Sequence, residues 1–206
     1  MKELGIDFEV RLKETGEDHP ASLQGKDIAV YLSEKKAEAF KNEIRKNELL
    51  ITADTIVWIN GQSLAKPDNE SEAALMLSQL SGKMHEVFTA VTLSASERKK
   101  TFVVGTKVYF RKLTEAEIKN YISTFKPFDK AGSYGAQDSL PEGMNPCSDE
   151  EIDFLKKIGK TDLMANTIGQ RPVRNDAVVL IDKIEGSYFN VMGLPVMELY
   201  NELNRF

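Results

Sequence analysis

A nearly continuous run of apolar and β-branched residues, Leu49 to Ile59 (LLITADTIVWI), constrains the fold more than any other feature of this sequence. A strand that is covered on both faces has this pattern, whereas a strand with one solvated face alternates. Asn60-Gly61 follows directly and is a strong signal for a two-residue hairpin, so we expect the chain to turn back through residues 62–66. The sequence therefore predicts a buried strand followed by a tight turn.

Helix and strand patterns alternate along the rest of the chain. Apolar side chains at every second position predict a half-buried strand at Leu4–Leu12. Ile28, Leu32 and Phe40 then fall on one helical stripe, on which Lys36 takes the missing position. That helix therefore turns a lysine toward the surface on which it packs.

Local signals predict the remaining helices and strands. Three helices begin at a capping side chain with a glutamate three residues later, and a fourth begins at a proline: Asn69, Thr114, Ser148 and Pro195. Three β-rich segments predict strands, of which the first two form an antiparallel pair: His85–Leu93, Thr101–Phe110 and Ala177–Ile184. Residues 138–176 carry few large apolar side chains and are interpreted as a surface excursion.

The composition is that of an ordinary globular protein and excludes several classes of function. The chain has 206 residues, of which 41% are hydrophobic and 29% charged, enough for one domain with a sizeable core. No apolar run reaches the ~18 residues of a membrane span, and the first residues lack the apolar region of a signal peptide, so we expect a cytoplasmic protein. A net charge of −5 without a long basic run argues against binding to nucleic acid polymers.

Few side chains could hold a soft metal ion. The chain has one cysteine, Cys147, and two histidines, His19 and His85. A metal would therefore be held mostly by oxygen ligands, which points to Mg²⁺ or Mn²⁺ rather than to structural zinc. We interpret His85 as the start of a strand and Cys147 as a residue without a functional role.

Asp54 breaks the apolar pattern in the middle of the buried strand. Burying a carboxylate without partners costs several kcal/mol, so its presence needs an explanation. It is either satisfied by backbone amides or a neighbouring lysine, or it serves as a metal ligand or general base. The flanking Thr52 and Thr55 suit both interpretations.

Two lysines and one loop raise similar alternatives. Lys36 either reaches along an apolar surface to water or points at a ligand. Hairpin counting puts Lys66 opposite Thr55, so its side chain leaves the face of Asp54 unless Pro67 bends the strand. The loop that ends at Gln137 contains two glycines, which either allow a ligand close to the backbone or simply form a turn.

Five stretches in this order resemble the Maf family of nucleoside triphosphate pyrophosphatases. They are ITADTIV at residues 51–57, Lys66-Pro67, LSGKMHEVFTAV at 80–91, DKAGSYGAQ at 129–137 and IEGSYFNVMGLP at 184–195. The resemblance covers most of the chain. It implies an α/β fold like that of the inosine triphosphate pyrophosphatases, with a long mixed sheet, helices on both sides and a central cleft between two lobes.

The resemblance also implies an activity, the hydrolysis of a nucleoside triphosphate between its α and β phosphates with a divalent metal. Asp54 would match the essential acidic residue of the family's ADT motif, which binds metal or activates water. Glu17 would match the acidic residue of the preceding loop and supply a second oxygen ligand for Mg²⁺ or Mn²⁺.

The remaining matches are implied to bind the substrate. Lys36 and Lys66 would match two lysines that neutralise phosphate charge, and we add Thr55, the neighbour of Asp54, as a substrate-binding residue. Gln137 would match the glutamine of a Tyr-x-x-Gln pattern associated with the branch that prefers dTTP and UTP. A glutamine side chain offers both a donor and an acceptor, which suits the edge of a pyrimidine.

The sequence departs from the family pattern in two places. It begins inside the helix that normally follows a first strand and a Ser-x-Ser-Pro-Arg-Arg loop, so we expect one Maf-like domain over residues 1–206 without these two parts. A late start codon or a truncation would explain this, and a chain complete as given would have severely weakened activity. The second departure is the insertion at about residues 138–176.

Two other functions compete with the pyrophosphatase. The first is a nucleotide-binding regulator of septum formation and cell division with little or no catalysis, a role associated with the family name. The second is a noncanonical purine triphosphatase like the fold relatives, which Gln137 argues against. The resemblance also makes a homodimer possible.

Overall fold

The computed structural model describes residues 1, 4–141, 143–163 and 178–206. Five strands in these ranges form one sheet in the order β2-β1-β3-β4-β5. Their bounds are Leu50–Ile59 for β1, Gln62–Leu64 for β2, Met84–Ser94 for β3, Lys99–Phe110 for β4 and Ile181–Glu185 for β5.

Helices flank this sheet, which confirms the α/β class. Their bounds are Lys26–Ala39 for α1, Glu70–Leu80 for α2, Glu115–Phe125 for α3, Asp149–Lys157 for α4, Tyr188–Val191 for α5 and Val196–Leu203 for α6. No helix within the described ranges is both long and apolar enough to cross a membrane.

The sheet differs in one respect from the mixed sheet that the sequence predicts. All four pairings between the described strands are antiparallel. Two of them join strands that follow each other through a tight turn, and such a turn can only produce an antiparallel pair. The mixed pattern is therefore not found among the described strands.

The two faces of β1 are both covered, as its continuous apolar pattern predicts. Ile56 packs with Ile28, Ala29 and Leu32 of α1 on one face of the sheet. Val57 belongs to the larger core on the other face, which includes residues of α2 and α3. Because side chains alternate along a strand, even-numbered residues of β1 face α1 and odd-numbered ones face the opposite side of the sheet.

Local signals predict most helix starts correctly. Asn69 accepts a hydrogen bond from the backbone N–H of Glu72, 3.0 Å away, and begins α2. Thr114 and Ser148 each begin a helix with a complete capping box. Pro195 precedes α6 as its N-cap residue rather than as its first helical residue. These signals are local contacts, so the sequence alone suffices to find them.

The hairpin after β1 also forms as predicted. Ile59 pairs with Gln62 across Asn60 and Gly61, and both turn residues have positive φ, 52° and 79°. This is the geometry of a type I′ turn. The returning strand β2 ends at Leu64, two residues earlier than predicted.

The predicted strand at Leu4–Leu12 is wrong. These residues form no strand, and Phe8, Val10 and Leu12 are exposed. A strand exists only with a hydrogen-bonded neighbour, and no described strand pairs with this segment. The strand predicted at Ala177–Ile184 is found at Ile181–Glu185, and its first residue lies outside the described residues.

The segment interpreted as a surface excursion returns to the point where it leaves the core. The carbonyl oxygen of Ser139 accepts hydrogen bonds from the backbone N–H groups of Leu180 and Ile181, both at 2.9 Å. Within the segment, Phe154 and Leu155 of α4 are buried in the larger core. This part of the excursion therefore contributes to the core, while residues 164–177 lie outside the described residues.

Candidate functional site

The residues proposed for the site from sequence line one cavity, although they come from distant parts of the chain. The cavity has a volume of about 390 Å³ and lies between α1, β1 and the segments at residues 17–19, 63–66, 129–137 and 191–193. It is lined by all six of these residues: Glu17, Lys36, Asp54, Thr55, Lys66 and Gln137. The structure thus places them together, and what each of them does remains a prediction.

Asp54 lies on the face of β1 that packs against α1. Its side chain is only 9% exposed and forms an ion pair with Lys36 of α1. The Lys36 ammonium also donates a hydrogen bond to the carbonyl oxygen of Ala53, at 3.2 Å. The lysine on the apolar stripe of α1 therefore satisfies the carboxylate in the buried strand.

The electrostatic environment of Asp54 combines opposing effects. Burial raises the pKa of the carboxyl group, and this effect outweighs Lys36, which lowers it. Glu17 raises the pKa further, while Lys66 lowers it. A carboxyl group with a raised pKa can accept a proton more readily than an exposed one, which suits a general base.

Glu17 and Lys66 form a second ion pair at the cavity. Both side chains are 51% exposed, so their charges are available to a ligand from solvent. The register of the hairpin would place residue 66 opposite Thr55, on the wrong face. Because β2 already ends at Leu64, Lys66 is free of this alternation and lines the same cavity as Asp54.

The loop that carries Gln137 is fixed against the sheet and α3. The backbone N–H of Gly132 donates a hydrogen bond to the carbonyl oxygen of Ala65, at 3.1 Å, and that of Gly135 donates to the hydroxyl of Tyr121, at 3.0 Å. Gly132 has a φ of +68°, and a Cβ there would lie 3.1 Å from the side chain of Val57. The close approach at Gly132 is therefore to the strand.

Thr55 belongs to a hydrogen-bonded group on the other face of β1. Its hydroxyl lies 2.9 Å from that of Thr89 on β3. The Thr89 hydroxyl donates to the backbone oxygen of Asn190 on α5, also at 2.9 Å. Thr55 therefore connects the cavity to α5, a contact that the sequence does not reveal.

Reasoning from individual residues missed two parts of the cavity wall. Tyr134 lines the cavity, and its hydroxyl lies 2.7 Å from Nε2 of the buried His85. Residues 191–193, the end of α5 and the two residues after it, line it as well. Both parts lie in stretches that carry the family resemblance, DKAGSYGAQ and IEGSYFNVMGLP, and this was the signal that could have found them.

The donor set of the cavity fits a hard divalent cation that also binds a phosphate ligand. No group of three or more His, Cys, Asp or Glu side chains suited to a metal occurs in the described ranges. Asp54 and Glu17 offer two carboxylates at the cavity. Mg²⁺ is usually bound by one or two carboxylates together with substrate phosphates, rather than by a cage of protein ligands alone.

Comparison with known proteins decides the family. The family model described as Maf-like protein matches residues 1–143 and 142–206. The chain belongs to the Maf family. It is 38% identical over all 206 residues to a dTTP/UTP pyrophosphatase of Bacteroides thetaiotaomicron and 40% identical over 206 residues to one of Bacteroides fragilis, in each case covering 88% of the relative. A Flavobacterium psychrophilum dTTP/UTP pyrophosphatase is 38% identical over 97% of this Maf chain and 84% of its own length.

Proposed function

We propose that this Maf protein is a cytoplasmic nucleoside triphosphate pyrophosphatase that hydrolyses dTTP and UTP to the monophosphate and pyrophosphate. One observation carries the proposal: a buried carboxylate, Asp54, is held by Lys36 in a cavity that also contains the Glu17–Lys66 pair. The relatives named dTTP/UTP pyrophosphatase, at 38–40% identity over nearly the whole chain, support it. Carboxylates and lysine ammonium groups at one cavity suit a metal-bound polyphosphate.

The reaction replaces one bond at the α-phosphorus. A water oxygen attacks the α-phosphorus, and the bond from this phosphorus to the oxygen that bridges to the β-phosphorus breaks. The products are the nucleoside monophosphate and pyrophosphate, and the proton lost by the water goes to a base. Asp54 lines the cavity and would take this proton or hold the metal, and its raised pKa favours the first role.

Asp54 and Glu17 would hold Mg²⁺ or Mn²⁺, which supplies charge neutralisation at the phosphates when bound. Lys36 and Lys66 face the same cavity, and each is already paired with one of these carboxylates. When phosphates and metal enter, both lysines can turn their ammonium groups to phosphate oxygens. The negative charge that moves to the leaving pyrophosphate is then stabilised by groups already in place.

Gln137 and Thr55 would bind the uncharged parts of the substrate. The Gln137 amide has an N–H₂ donor and a carbonyl acceptor, which match the alternating donor and acceptor edge of thymine or uracil. The Thr55 hydroxyl already bonds to Thr89 and keeps a free lone pair for a substrate donor. Specificity for pyrimidines would then reside in the loop at residues 131–138.

The replacement Asp54→Asn tests this proposal, with pyrophosphate release from dTTP and UTP in the presence of Mg²⁺ as the measurement. We expect kcat/KM to fall by roughly 10²–10⁴-fold, the usual range for loss of a general base. The control is Asp153→Asn, an exposed aspartate on α4 paired with Lys156. Activity that survives Asp54→Asn unchanged would show that the site works in another way, and purified chain without any hydrolysis would favour a binding protein.

A further inference from the structure

A buried glutamate outside the cavity connects the excursion to the site. Glu151 is the third residue of α4 and is 0% exposed. Its carboxylate accepts a hydrogen bond from the backbone N–H of Ser148, at 3.1 Å, and completes the capping box of α4. A capping glutamate on a surface helix is normally exposed, so the full burial of this one calls for a second role.

The second role is visible in the contacts between Glu151 and the start of α5. The carboxylate accepts hydrogen bonds from the Ser187 hydroxyl and from the backbone N–H groups of Tyr188, at 3.0 Å, and Phe189, at 3.3 Å. In the described part of the chain no lysine or arginine forms a salt bridge with Glu151. Among the described residues, its charge is met by the donors of α5 and by its own cap.

From α5 the contacts continue to the sheet beneath the cavity. The Asn190 side chain donates to the carbonyl oxygen of Val87, at 2.9 Å, and accepts from the backbone N–H of Thr89, at 3.2 Å. Asn190 is 0% exposed. The position of α5 on β3 is thus fixed by paired polar groups that would be costly to leave unsatisfied.

The last residue of α5 and the two residues after it form part of the cavity wall. Val191, Met192 and Gly193 line the cavity, and a Cβ at Gly193 would lie 3.5 Å from the Thr55 hydroxyl. The backbone N–H of Gly193 donates to the carbonyl oxygen of Asn190 in α5, at 3.0 Å, so the position of the chain here follows that of α5. A shift of α5 would therefore move the wall next to Thr55.

We propose that Glu151 is a positioning residue, which holds α5 so that residues 191–193 form the wall of the nucleotide cavity. The kinetic part of this inference rests on the proposed function. Glu151 does not touch the cavity itself and acts only through Ser187, Tyr188 and Phe189. The excursion then contributes to substrate binding, because the Glu151 carboxylate in α4 holds α5 in position.

Glu151→Gln removes the negative charge and replaces one acceptor oxygen by an N–H₂ group of the same size. The donors of Ser187, Tyr188 and Phe189 cannot all be satisfied by the one remaining oxygen, and charge-assisted hydrogen bonds become neutral ones of about half the strength. We expect the wall to become mobile while Asp54 and Lys36, held by β1 and α1, stay in place. Substrate binding should therefore suffer more than the chemical step.

Steady-state kinetics with dTTP and Mg²⁺ test this expectation. Glu151→Gln should raise KM by about tenfold, equivalent to about 1.4 kcal/mol, and change kcat by less than about threefold. The matched control is Ser148→Ala, which removes the side-chain cap of α4 but leaves the backbone donors and the Ser187 contact to Glu151. If Ser148→Ala raises KM equally, general weakening of α4 explains the effect and the proposal fails.

A measurement without turnover separates this proposal from the proposed function. Met192 is 45% exposed at the cavity, so the NMR signal of its ¹³C-labelled methyl group reports on the wall. We expect this signal to shift or broaden in nucleotide-free Glu151→Gln and to stay unchanged in Ser148→Ala. A changed signal in a protein that hydrolyses no dTTP would support the positioning role and reject the activity.

The opposite result is equally informative. Hydrolysis of dTTP with an unchanged KM and an unchanged Met192 signal in Glu151→Gln would overturn the positioning role and leave the activity intact. If Glu151→Gln does not fold, Glu151→Asp takes its place, because it keeps the charge but withdraws the carboxylate from the donors of Ser187, Tyr188 and Phe189. The same two readouts, KM and the Met192 signal, then decide. A change in both supports the proposal, and no change in either rejects it.

Discussion

The charge state of Asp54 depends on one neighbour more than on any other. Burial raises the pKa of this carboxyl group, and Lys36 opposes that effect through a hydrogen bond and through its charge. Lys66 acts only through its charge and is the weakest of these influences. Lys36 and Lys66 therefore differ in how strongly they control the acid that we place at the centre of the reaction.

Lys36→Met should consequently move the acidic limb of the pH profile of kcat/KM to higher pH. Asp54 must be ionised to hold metal or accept a proton, and without Lys36 the pKa of Asp54 rises further, so a higher pH is needed to ionise it. Lys66→Met is the control and should shift the limb less, although it also weakens phosphate binding. Equal shifts in the two variants would contradict this ranking of the lysines.

His85 makes the folded state sensitive to acid. It is 1% exposed, and burial lowers its pKa from 6.5 to about 3. The unfolded chain takes up this proton below pH 6.5, whereas the folded chain does not until about pH 3. The contribution of neutral His85 to the free energy of unfolding is therefore fully present above pH 6.5. It falls by up to about 1.4 kcal/mol per pH unit between pH 6.5 and 3.

Urea unfolding at pH 7, 6 and 5 checks this prediction. His85→Gln should lose less stability between pH 7 and pH 5 than the parent chain, by about 2 kcal/mol, even if it is less stable at pH 7. His19→Gln, at the other histidine of the chain, is the control and should keep the slope of the parent. A parallel pH dependence in His85→Gln and the parent would show that other groups cause the loss.

At the scale of single residues, the sequence shows which residues break a pattern more readily than it shows what those residues contact. Asp54 and Lys36 stand out because each breaks an apolar pattern, and the structure joins them in one ion pair. The partner of His85 could not be predicted, since Tyr134 is 49 residues away and lies on a loop without periodicity. Contacts of this kind depend on the tertiary fold, which leaves no local signal in the sequence.

At the scale of elements, the loop at residues 131–138 is held against β1 by close packing at a glycine. Gly132 has a φ of +68° and lies so near Val57 that a Cβ would be 3.1 Å from that side chain. Gly159, after α4, has nearly the same φ, +70°, with no atom within 4 Å of a Cβ. The two positions share the backbone conformation and differ in the space around it.

Gly132→Ala should therefore destabilise the chain more than Gly159→Ala. The left-handed conformation costs roughly 1–2 kcal/mol for alanine at either position, and overpacking against Val57 adds about 1–3 kcal/mol at Gly132 only. Urea unfolding measures both losses. The double variant Gly132→Ala with Val57→Ala should lose less stability than the sum of the losses in Gly132→Ala and Val57→Ala. Identical losses in Gly132→Ala and Gly159→Ala would contradict the packing argument.

Elements and strand pairs with local signals are predicted well, whereas pairing with a distant partner is not. The capping boxes at Thr114 and Ser148 and the Asn60-Gly61 turn involve neighbouring residues and are all found. The alternation at Leu4–Leu12 is equally clear in the sequence, yet no described strand pairs with it. A helix forms its backbone hydrogen bonds within its own segment, whereas a strand needs a second strand, which its own sequence does not identify.

At the scale of the whole molecule, the cavity lies where separate parts of the fold meet. Lys36 comes from the layer of α1, Asp54 from the sheet and Gln137 from the loop that is packed on the larger core. The net charge of −5 does not favour an anionic ligand at long range, so we expect binding of a triphosphate to depend on the local lysines and a cation. A ligand that contacts all these parts joins them together.

Such a ligand should stabilise the folded chain against heat in a manner that depends on the metal. At a concentration of 100 times its Kd, α,β-imido-dTTP with Mg²⁺ should add about 2.7 kcal/mol, which raises Tm by about 5–10 °C for a chain of this size. Asp54→Asn should lose most of the part that requires Mg²⁺, while Asp153→Asn on the exposed side of α4 should keep it. A shift of the same size without Mg²⁺, or in Asp54→Asn with it, would mean that the nucleotide binds through the lysines alone, and Asp54 would then have to act on the water rather than on the metal.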